Sequence, residues 1–396
     1  MAHDWNGGPL ERLIRANIRV PDQTIGDFNA QFAANGIGAG RVQELCRRFG
    51  AEVVIEAMEE LLAYSERRMR AAIRELPDGV YEGEDFLDDD GFGDQPLRIH
   101  ARVEIKGDDV FVDYEGTCDQ VKSNVNCPFA STVAAGLSCV KSVLTSPDIP
   151  FNEGSKRPIH VTAPYGSLLN PRRPAPVRAR MLSAYRAFNA VMKALAPAAP
   201  EKVIAAGFDS TEVVVLSKLL PDGYSIYLEI FGGGYGASAH ADGCDAVDSP
   251  LSNCSNVPIE AMDMEYSFFR VEEYGLIPDS GGGGRQRGGL GFQRRYLILD
   301  DDVTFATYSD RFRLAPEGLF GGNEGARAAT RVHRDGEVID LPSKASFELR
   351  KGDVLIAYTG GGAGYGEPAE RAEADIARDL REGFVAASIG RADAAE

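Results

Sequence analysis

The sequence is poor in the features that mark membrane-bound, secreted and disulfide-rich proteins. Its 396 residues contain no apolar run near the ~18 residues that a membrane-spanning helix needs, and the first residues lack the basic-then-apolar pattern of a secretion signal. The six cysteines are spread thinly along the chain, unlike the dense framework of a small secreted domain. These absences predict a cytoplasmic protein with reduced thiols and no membrane partner.

Positive charge is also scarce. Lys and Arg total 42 against 60 for Asp and Glu, so the formal net charge is −18. This charge would repel a polyanionic partner, and no basic run is interleaved with aromatic residues, so nucleic acid is not an expected partner. Hydrophobic residues make up 44% of the chain, which is enough for a large core. The length predicts roughly two or three domains, or one large domain with elaborated edges.

Hydrophobic periodicity predicts an α+β fold, in which an N-terminal helical segment precedes a large β-rich body with Gly-rich loops. Gly36, Gly38, Gly40 and Gly50 are poor helix residues, so two or three helices joined by short turns are predicted in place of one rod. Alternating residues over 98–114 predict a β-hairpin. The predicted regions are a helical segment (1–78), a mixed α/β region (79–230), a β-rich Gly-loop region (231–366) and a C-terminal helical tail (367–396).

Two segments invite a ligand-binding interpretation that their details do not support. Residues 281–291 combine glycines with Arg285 and Arg287, but no Gly-Lys-Ser/Thr closes them and a strand follows, so a tight structural loop is predicted. The acidic run 88–94 lacks the glutamate that a calcium loop needs at its twelfth position, where Ile99 stands. A solvated acidic turn is predicted there.

The densest group of possible metal ligands lies between residues 240 and 254. It consists of His240, Asp242, Cys244, Asp245, Asp248 and Cys254. Their spacing does not match the paired ligands of a zinc site, so a packed loop is favoured over a metal site. Cys127 and Cys254 could act as nucleophiles, but no histidine is near either in sequence, so buried thiols are predicted.

Several phrases along the chain occur in the order that one family uses. They include residues 26–31 (Gly-Asp-Phe-Asn-Ala-Gln), 76–81 (Leu-Pro-Asp-Gly-Val-Tyr), 85–91 (Asp-Phe-Leu-Asp-Asp-Asp-Gly), 124–128 (Asn-Val-Asn-Cys-Pro), 287–291 (Arg-Gly-Gly-Leu-Gly) and 360–366 (Gly-Gly-Gly-Ala-Gly-Tyr-Gly). Through them the chain resembles the hydantoinase B/oxoprolinase family. That family comprises the B-type subunits of ATP-dependent cyclic-amide hydrolases, together with the large subunits of acetone and acetophenone carboxylases. The resemblance covers nearly the whole chain from about Ala16 onward.

The resemblance implies a division of labour between subunits. An A-type subunit with an actin-like ATPase fold would bind ATP and Mg and phosphorylate an oxygen of a small-molecule substrate. The B-type subunit would then complete ring opening or carboxylation. A phosphorylated lactam oxygen is a leaving group, so the B-type subunit would stabilise the tetrahedral oxyanion and exclude competing water.

The resemblance also implies a further partner. Typical B-type subunits carry, before the point where this chain begins, a segment with histidines and an aspartate that resemble metal ligands in the carboxylase relatives. We expect another polypeptide to supply this missing N-terminal half, and with it a divalent transition metal. A scaffold that has lost the metal chemistry is the alternative.

No family motif assigns a catalytic role here, so the candidate residues are chosen by their chemistry. They are Asn126, Asn152 and Asn253 as hydrogen-bond donors, Glu153 and Asp242 as bases, and His240 as an acid/base or ligand. Helix capping or loop packing is the structural alternative for each. The predicted function is that of a subunit in an ATP-dependent hydrolase that opens hydantoin-like or 5-oxoproline-like cyclic amides. A component of an ATP-dependent ketone carboxylase and a non-catalytic structural component are the alternatives.

Overall fold

The computed structural model describes residues 4–144, 149–221 and 223–386, and over those residues it combines eight α-helices with thirteen strands. The helices are α1 (Pro9–Asn17), α2 (Pro21–Phe49), α3 (Ala51–Ile73), α4 (Phe129–Leu144), α5 (Glu153–Lys156), α6 (Arg180–Leu195), α7 (Ile259–Glu265) and α8 (Glu373–Glu382). The strands are β1 (Gly79–Leu87), β2 (Leu97–Lys106), β3 (Asp109–Asp113), β4 (Ile159–Thr162), β5 (Glu212–Leu220), β6 (Gly223–Phe231), β7 (Phe269–Leu276), β8 (Phe292–Ile298), β9 (Val303–Tyr308), β10 (Ala329–Arg334), β11 (Glu337–Leu341), β12 (Lys344–Leu349) and β13 (Val354–Tyr358). Helices come first and a strand-rich body follows, which confirms the predicted α+β fold class.

The first sheet has the strand order β1-β2-β3-β4, with β3 and β4 parallel and the other pairs antiparallel. Every second residue of β2 from Ile99 to Ile105 is buried, as the period-two pattern predicts for a half-buried strand. These side chains share one hydrophobic core with α4 and with α6, which is buried along most of its length. The predicted hairpin over residues 98–114 is confirmed by the antiparallel pairing of β2 with β3.

Two further sheets form a β-sandwich. Their strand orders are β12-β9-β5-β6 and β11-β10-β13-β8-β7. Buried side chains from both sheets meet in a second core rich in aromatic residues, including Tyr227, Phe269, Phe292 and Tyr296. Edge-on and tilted ring pairs within this core favour one arrangement of the two sheets.

Glycine-rich segments pack backbone against backbone beside the sandwich. They are residues 232–236, 281–291, 318–325 and 360–366. Gly362 N–H donates to Gly289 O, and Gly289 N–H donates to Tyr235 O, each at 2.8 Å. A Cβ at Gly362 would lie 2.0 Å from Tyr235 O, so only glycine allows this approach. Backbone amides of 281–291 are engaged in these contacts, which confirms the predicted structural loop over a phosphate-binding loop.

The predicted division of the N-terminal segment into two or three helices is confirmed, and the break between α2 and α3 lies at one of the four glycines named above. Helix α2 continues through the other three, Gly36, Gly38 and Gly40. Each glycine costs a helix only about 1 kcal/mol relative to alanine, and nothing lies close enough to force the backbone out of helical geometry. The helix ends at Gly50, whose φ of 89° is incompatible with continuing a helix.

A buried ion cluster joins the first sheet to the sandwich. Asp85, at the end of β1, accepts hydrogen bonds from Arg311 at 2.9 and 3.3 Å and from Asn189 of α6 at 3.1 Å. Arg186, also on α6, donates to Asp310 at 2.9 Å. Burial alone would raise the pKa of Asp85, but Arg311 and the cations on α6 outweigh it and hold that pKa below its ordinary value.

The acidic run after β1 is part of the same junction. Asp88 is fully buried, and its carboxylate accepts backbone N–H bonds from residues 312, 313 and 314. The predicted solvated turn is therefore wrong for Asp88, because amides contributed by a distant part of the chain compensate for its burial. Asp90 fits the prediction better, since it accepts from Phe92 and Gly93 N–H in an exposed turn.

The C-terminal tail docks through α8, and residues 387–396 of the predicted tail lie outside the described residues. Among the helices of the described segments, none is both long and apolar enough to cross a membrane.

Candidate functional site

A small polar cavity lies beside the loop of residues 248–256, between strands of both sandwich sheets. It measures about 90 Å³ and is lined by Asp248, Cys254, Ser255 and Asn256 together with the apolar Ile230 and Phe292. A cavity with several polar groups on a partly apolar wall is the kind of place where small ligands bind. Proteins usually bind drug-sized ligands in pockets of roughly 300 Å³ or more, so this cavity has the size of a subsite.

Asp248 holds the loop closed. Its Oδ1 accepts from Ser249 N–H at 2.8 Å and its Oδ2 accepts from Cys254 N–H at 2.7 Å. The Asn256 amide donates to the Tyr274 hydroxyl, and Val257 N–H donates to Glu229 at 2.8 Å. Both Asp248 carboxylate oxygens are engaged in shaping the loop, so the polar groups left for a ligand are the Ser255 hydroxyl, the Cys254 thiol and amides.

A buried tyrosine lies next to Asp248. Tyr185 of α6 is fully buried, and its hydroxyl has no partner of good hydrogen-bond geometry among the described residues. Burial, and then the Asp248 carboxylate, raise the pKa of Tyr185, so the side chain is a neutral hydroxyl over the working pH range of enzymes. The Ser249 and Ser252 hydroxyls lie close enough to act against this rise in pKa, so the buried hydroxyl faces polar groups of the 248–256 loop.

A buried arginine, Arg294, is linked to the same loop through Glu229. Arg294 Nη1 donates to Glu229 at 2.5 Å, and the guanidinium lies between the rings of Phe231 and Tyr274, at 4.8 and 4.4 Å from their centres. Arg294 Nε and Nη2 have no hydrogen-bond partner among the described residues. Because Glu229 also accepts from Val257, which follows the 248–256 loop, this ion pair ties the loop to the sandwich core.

Three of the predicted site residues lie in the first-sheet region and make structural contacts. Asn126 is fully buried, accepts from Val121 N–H and donates to three carbonyl oxygens, which clamps the loop before α4. Asn152 caps α5, accepting from Ser155 N–H and donating to Ser65. Glu153 is exposed and pairs with Lys156 at 2.8 Å. Capping and clamping account for these contacts, and catalytic roles for the three residues stay predictions.

The other three predicted residues lie in the segment that leads into the cavity loop. His240 is exposed and lies 3.3 Å from Glu201. Asp242 accepts from Arg371 at 2.8 and 2.9 Å and from Arg378 at 2.6 Å, so it holds α8. Asn253 is exposed and adjoins Cys254 at the cavity. Asn253 is therefore the predicted residue that lies nearest the cavity in sequence, and its role also stays a prediction.

The possible metal ligands of residues 240–254 do not gather around one point. In the described part of the chain, no three His, Cys, Asp or Glu side chains are arranged to hold a metal ion. Asp242 instead faces arginines and Asp248 faces backbone amides. The residues present do not fit the divalent metal that the family resemblance implies, so no step of the chemistry is assigned to a metal on this chain.

The two candidate thiols differ in exposure. Cys127 is buried, and burial raises its pKa to about 11, which disfavours the reactive thiolate. Cys254 is exposed, so the prediction of a buried thiol is confirmed for Cys127 and wrong for Cys254. The proline-flanked, turn-rich sequence around residues 249–258 is the signal that could have placed Cys254 on a surface loop.

Nothing in the sequence distinguishes Tyr185 and Arg294 from their neighbours. Each is one residue of an ordinary helix or strand pattern, and its distinguishing feature is burial without a full set of hydrogen bonds. That feature depends on neighbours distant in the chain, so periodicity and spacing carry no sign of it.

Comparisons with known proteins show which family the chain resembles in sequence and in fold. A family model described as Hydantoinase B/oxoprolinase matches residues 6–368. The B-type subunit of a putative D-/L-hydantoinase from Pseudomonas sp. (strain NS671) is 37% identical over 386 residues, which cover 94% of this chain and 65% of that protein. The chain thus spans just under two thirds of the length of that relative.

Solved structures agree with the sequence match. The crystal structure of ATP-dependent caprolactamase from Pseudomonas jessenii superposes with a TM-score of 0.86 at 29% identity, covering 98% of this chain and 69% of that one. Nucleotide-free acetone carboxylase superposes with a TM-score of 0.75 at 18% identity, covering 88% of this chain and 53% of that one, a likeness of fold alone. Since the family model spans nearly all of the chain, the protein belongs to the hydantoinase B/oxoprolinase family.

Proposed function

We propose that this chain is the B-type component of an ATP-dependent enzyme that opens hydantoin-like or 5-oxoproline-like cyclic amides. The observation that carries the proposal is the family match along almost the whole chain, together with 37% identity to the B-type component of a putative hydantoinase. An A-type subunit would bind ATP and Mg and phosphorylate the lactam oxygen. This chain would then receive the activated small molecule.

The chain's part in the reaction is to bind and orient the activated ring. Phosphorylation makes the ring carbon electrophilic, so water can add to it if donors stabilise the developing negative charge. The adduct then breaks its C–N bond as the nitrogen takes up a proton, and a second water hydrolyses the resulting acyl phosphate to carboxylate and phosphate. We place this contact at the 248–256 loop, where Ser255 and Asn256 line the cavity and the exposed Asn253 is adjacent to Cys254. The apolar wall of Ile230 and Phe292 would exclude other water from the same space.

Hydrolysis is favoured over carboxylation by the comparison of identities. The hydantoinase relative is 37% identical, whereas acetone carboxylase is 18% identical and shares the fold. Because one fold can serve different chemistries, the likeness to the carboxylase carries less weight than the higher identity to the hydantoinase. A ketone carboxylase component is the second candidate, because a shared fold does not by itself decide between the two chemistries.

We further propose that a separate polypeptide completes the active site and holds a divalent transition metal. The cavity has only the size of a subsite, and the described residues offer no metal-binding cluster. The family resemblance, in which a segment bearing histidines and an aspartate provides metal ligands, supports this proposal.

The test is reconstitution. The chain is co-expressed with an A-type subunit and the companion polypeptide, and ATP hydrolysis is measured with hydantoins, with 5-oxoproline and with an aryl ketone plus bicarbonate. Stimulation by a cyclic amide alone supports the proposal, and stimulation by the ketone with bicarbonate alone replaces it with carboxylation. ATP turnover that no substrate stimulates in the assembled complex would favour the structural role instead.

A matched pair of variants tests the site within the same assay. Asn253→Ala is expected to lower substrate-stimulated turnover at least about tenfold without changing thermal stability, since one lost oxyanion donor costs roughly 10²-fold in other enzymes. Asn126→Ala is expected to lower stability, because three buried carbonyls and one amide lose their partner. Full turnover in Asn253→Ala would remove that residue from the site.

A further inference from the structure

The longest helix of the described segments has almost no partner in this chain. Helix α2 has 29 residues, and Ile25 is the one that is buried. Between residues 29 and 61, which cover most of α2 and the first half of α3, every residue except Cys46 and Val54 is exposed. Isolated helices are marginal in water, and helices in proteins are stabilised mainly by packing of an apolar face.

One exposed face of α2 has the composition of a face that packs against another helix. Residues spaced by three or four along this face are Gln31, Ala34, Gly38, Val42, Leu45 and Phe49, and all six are exposed. Large side chains occupy the C-terminal half of this face and mostly smaller ones the N-terminal half. A Cβ at Gly38 would meet nothing within 4 Å, so the glycine is not explained by packing inside this chain.

The charges of α2 are arranged so that the helix complements itself. Asp22 and Asp27 lie in the first third, residues 28–40 carry no charge, and Arg41, Arg47 and Arg48 lie in the last third with one Glu. Antiparallel pairing of two copies would bring each acidic end beside a basic end. It would also oppose the two helix dipoles, which favours the same arrangement.

We propose that two copies of this chain associate through antiparallel α2 helices that cross at Gly38. In this register Ala34 faces the second copy's Val42, Gln31 faces its Leu45, and Asp27 lies beside its Arg48. The small residues near the crossing allow the two backbones to approach closely, and Val42 of one copy fills space above Ala34 of the other. The proposal is independent of the proposed activity, because it concerns association of this chain alone.

The exposed α2–α3 hairpin provides the centre of such an interface. A standard protein–protein interface takes roughly 20 to 30 residues from each side, and the six residues of the α2 face supply part of that number. Val53, Ile55, Met58 and Leu61 of α3 extend the apolar surface of the same hairpin. A second copy would therefore cover the side chains that this chain leaves in water.

The experiment compares two glycines of the same helix. Gly40 lies two residues from Gly38, about 200° around the helix, and a Cβ there also meets nothing within 4 Å. Leucine at either position fits the single chain and improves helix propensity, so both variants are expected to fold. Only Gly38→Leu places bulk at the proposed crossing.

Sedimentation velocity over a range of concentrations gives the association constant of the full chain and of each variant. We expect a wild-type dimer, a dissociation constant raised at least about tenfold in Gly38→Leu and one within about twofold of wild type in Gly40→Leu. Circular dichroism confirms that both variants remain folded.

A wild-type chain that stays monomeric up to about 100 µM, where even a weak dimer would be populated, would overturn the proposal. So would a dimer that Gly38→Leu leaves intact, since the interface would then lie elsewhere. If a co-expressed companion polypeptide binds the chain and Gly38→Leu releases it, the α2 face belongs to that companion and the pairing of two copies is wrong.

Discussion

Glu212 shows how strongly a single residue can depend on the whole fold. It begins β5, is 1% exposed, and shares one hydrogen bond at 3.1 Å with Thr330 of β10 in the other sheet. Its second carboxylate oxygen has no hydrogen-bond partner among the described residues. Burial therefore raises the pKa of Glu212 to about 8, so the side chain is protonated in the folded protein at neutral pH.

Glu212 predicts a pH dependence of stability. The unfolded chain releases this proton near pH 4.5 and the folded chain near pH 8, so between these values the folded state binds more protons and its stability falls as pH rises. The contribution of this group is full below about pH 4.5 and is lost as the pH passes through 8, at no more than about 1.4 kcal/mol per pH unit. Glu212→Gln is expected to remove this loss, as measured by urea unfolding at about pH 5, 6, 7 and 8.

Glu337→Gln provides the control, because that residue is exposed on β11. It should leave the pH profile of the free energy of unfolding unchanged. Parallel profiles for wild type and Glu212→Gln would show that the Glu212 carboxyl is ionised in the folded protein.

At the level of elements, the C-terminal helix α8 is held by charge. Asp242 accepts from Arg371 and Arg378, and Asp379 of α8 accepts from Arg371 at 2.6 Å. Burial opposes ionisation of Asp242, but hydrogen bonds from Arg371 and from the backbone N–H of Arg287 lower its pKa. The helix has little apolar contact of its own, since Asp379 is its one buried residue among those described.

Asp242→Asn is expected to loosen α8. The amide cannot satisfy both arginines. The free energy of local unfolding of α8 should therefore be about 1–3 kcal/mol lower than in wild type. Hydrogen exchange of residues 373–382 should accelerate by about tenfold or more, while exchange in β2 stays the same. Asp375→Asn is the control, because Asp375 pairs with Arg378 of the same helix. Equal exchange in the two variants would contradict the anchoring role of Asp242.

The glycine-rich segments and α2 use glycine in opposite ways. Gly362→Ala would place a methyl group 2.0 Å from Tyr235 O, so we expect it to lower the free energy of unfolding by about 3 kcal/mol or more. Gly36→Ala meets open space in a helix and is expected to raise it by about 0.5–1 kcal/mol. Chemical denaturation measures both, and a neutral Gly362→Ala would mean that the packed segments can separate.

In the molecule as a whole, the ion cluster between the first sheet and the sandwich is the main polar junction. Asp85 is separated from Arg311 by 226 positions in sequence, yet the two side chains form a buried pair at 2.9 Å. Arg311 itself adopts a φ of 67°, a conformation that residues other than glycine rarely take. The surrounding contacts compensate for this strain, as expected where two parts of a fold are fixed together.

Arg311→Ala is expected to destabilise the protein by about 3–5 kcal/mol, because it leaves the Asp85 carboxylate buried with weaker partners. Adding Asp85→Asn should restore part of the loss by removing the charge. Arg331→Ala is a matched control, since Arg331 pairs with Asp340 at the same 2.9 Å but in solvent, and it should cost no more than about 1 kcal/mol. Equal losses in the two arginine variants would show that the buried pair does not couple the two parts.

Local sequence was sufficient to predict the helical and strand regions, the family and the structural nature of the 281–291 loop. These features follow from periodicity and from short motifs, which neighbouring residues specify directly. The unbroken course of α2 does not follow from propensity, because glycine lowers helix propensity without excluding a helix, as Gly36, Gly38 and Gly40 show.

Tertiary packing alone decides which charged and polar side chains are buried and which of them pair with each other. Asp85 meets Arg311, Glu212 meets Thr330 and Asp242 meets Arg371 across more than about 100 residues of chain. Burial and pairing set the pKa values and the energies of these groups, and both depend on how distant segments pack. For that reason the candidate residues could be named from the sequence by their chemistry, whereas the cavity at residues 248–256 and the exposed face of α2 emerged only from the folded chain.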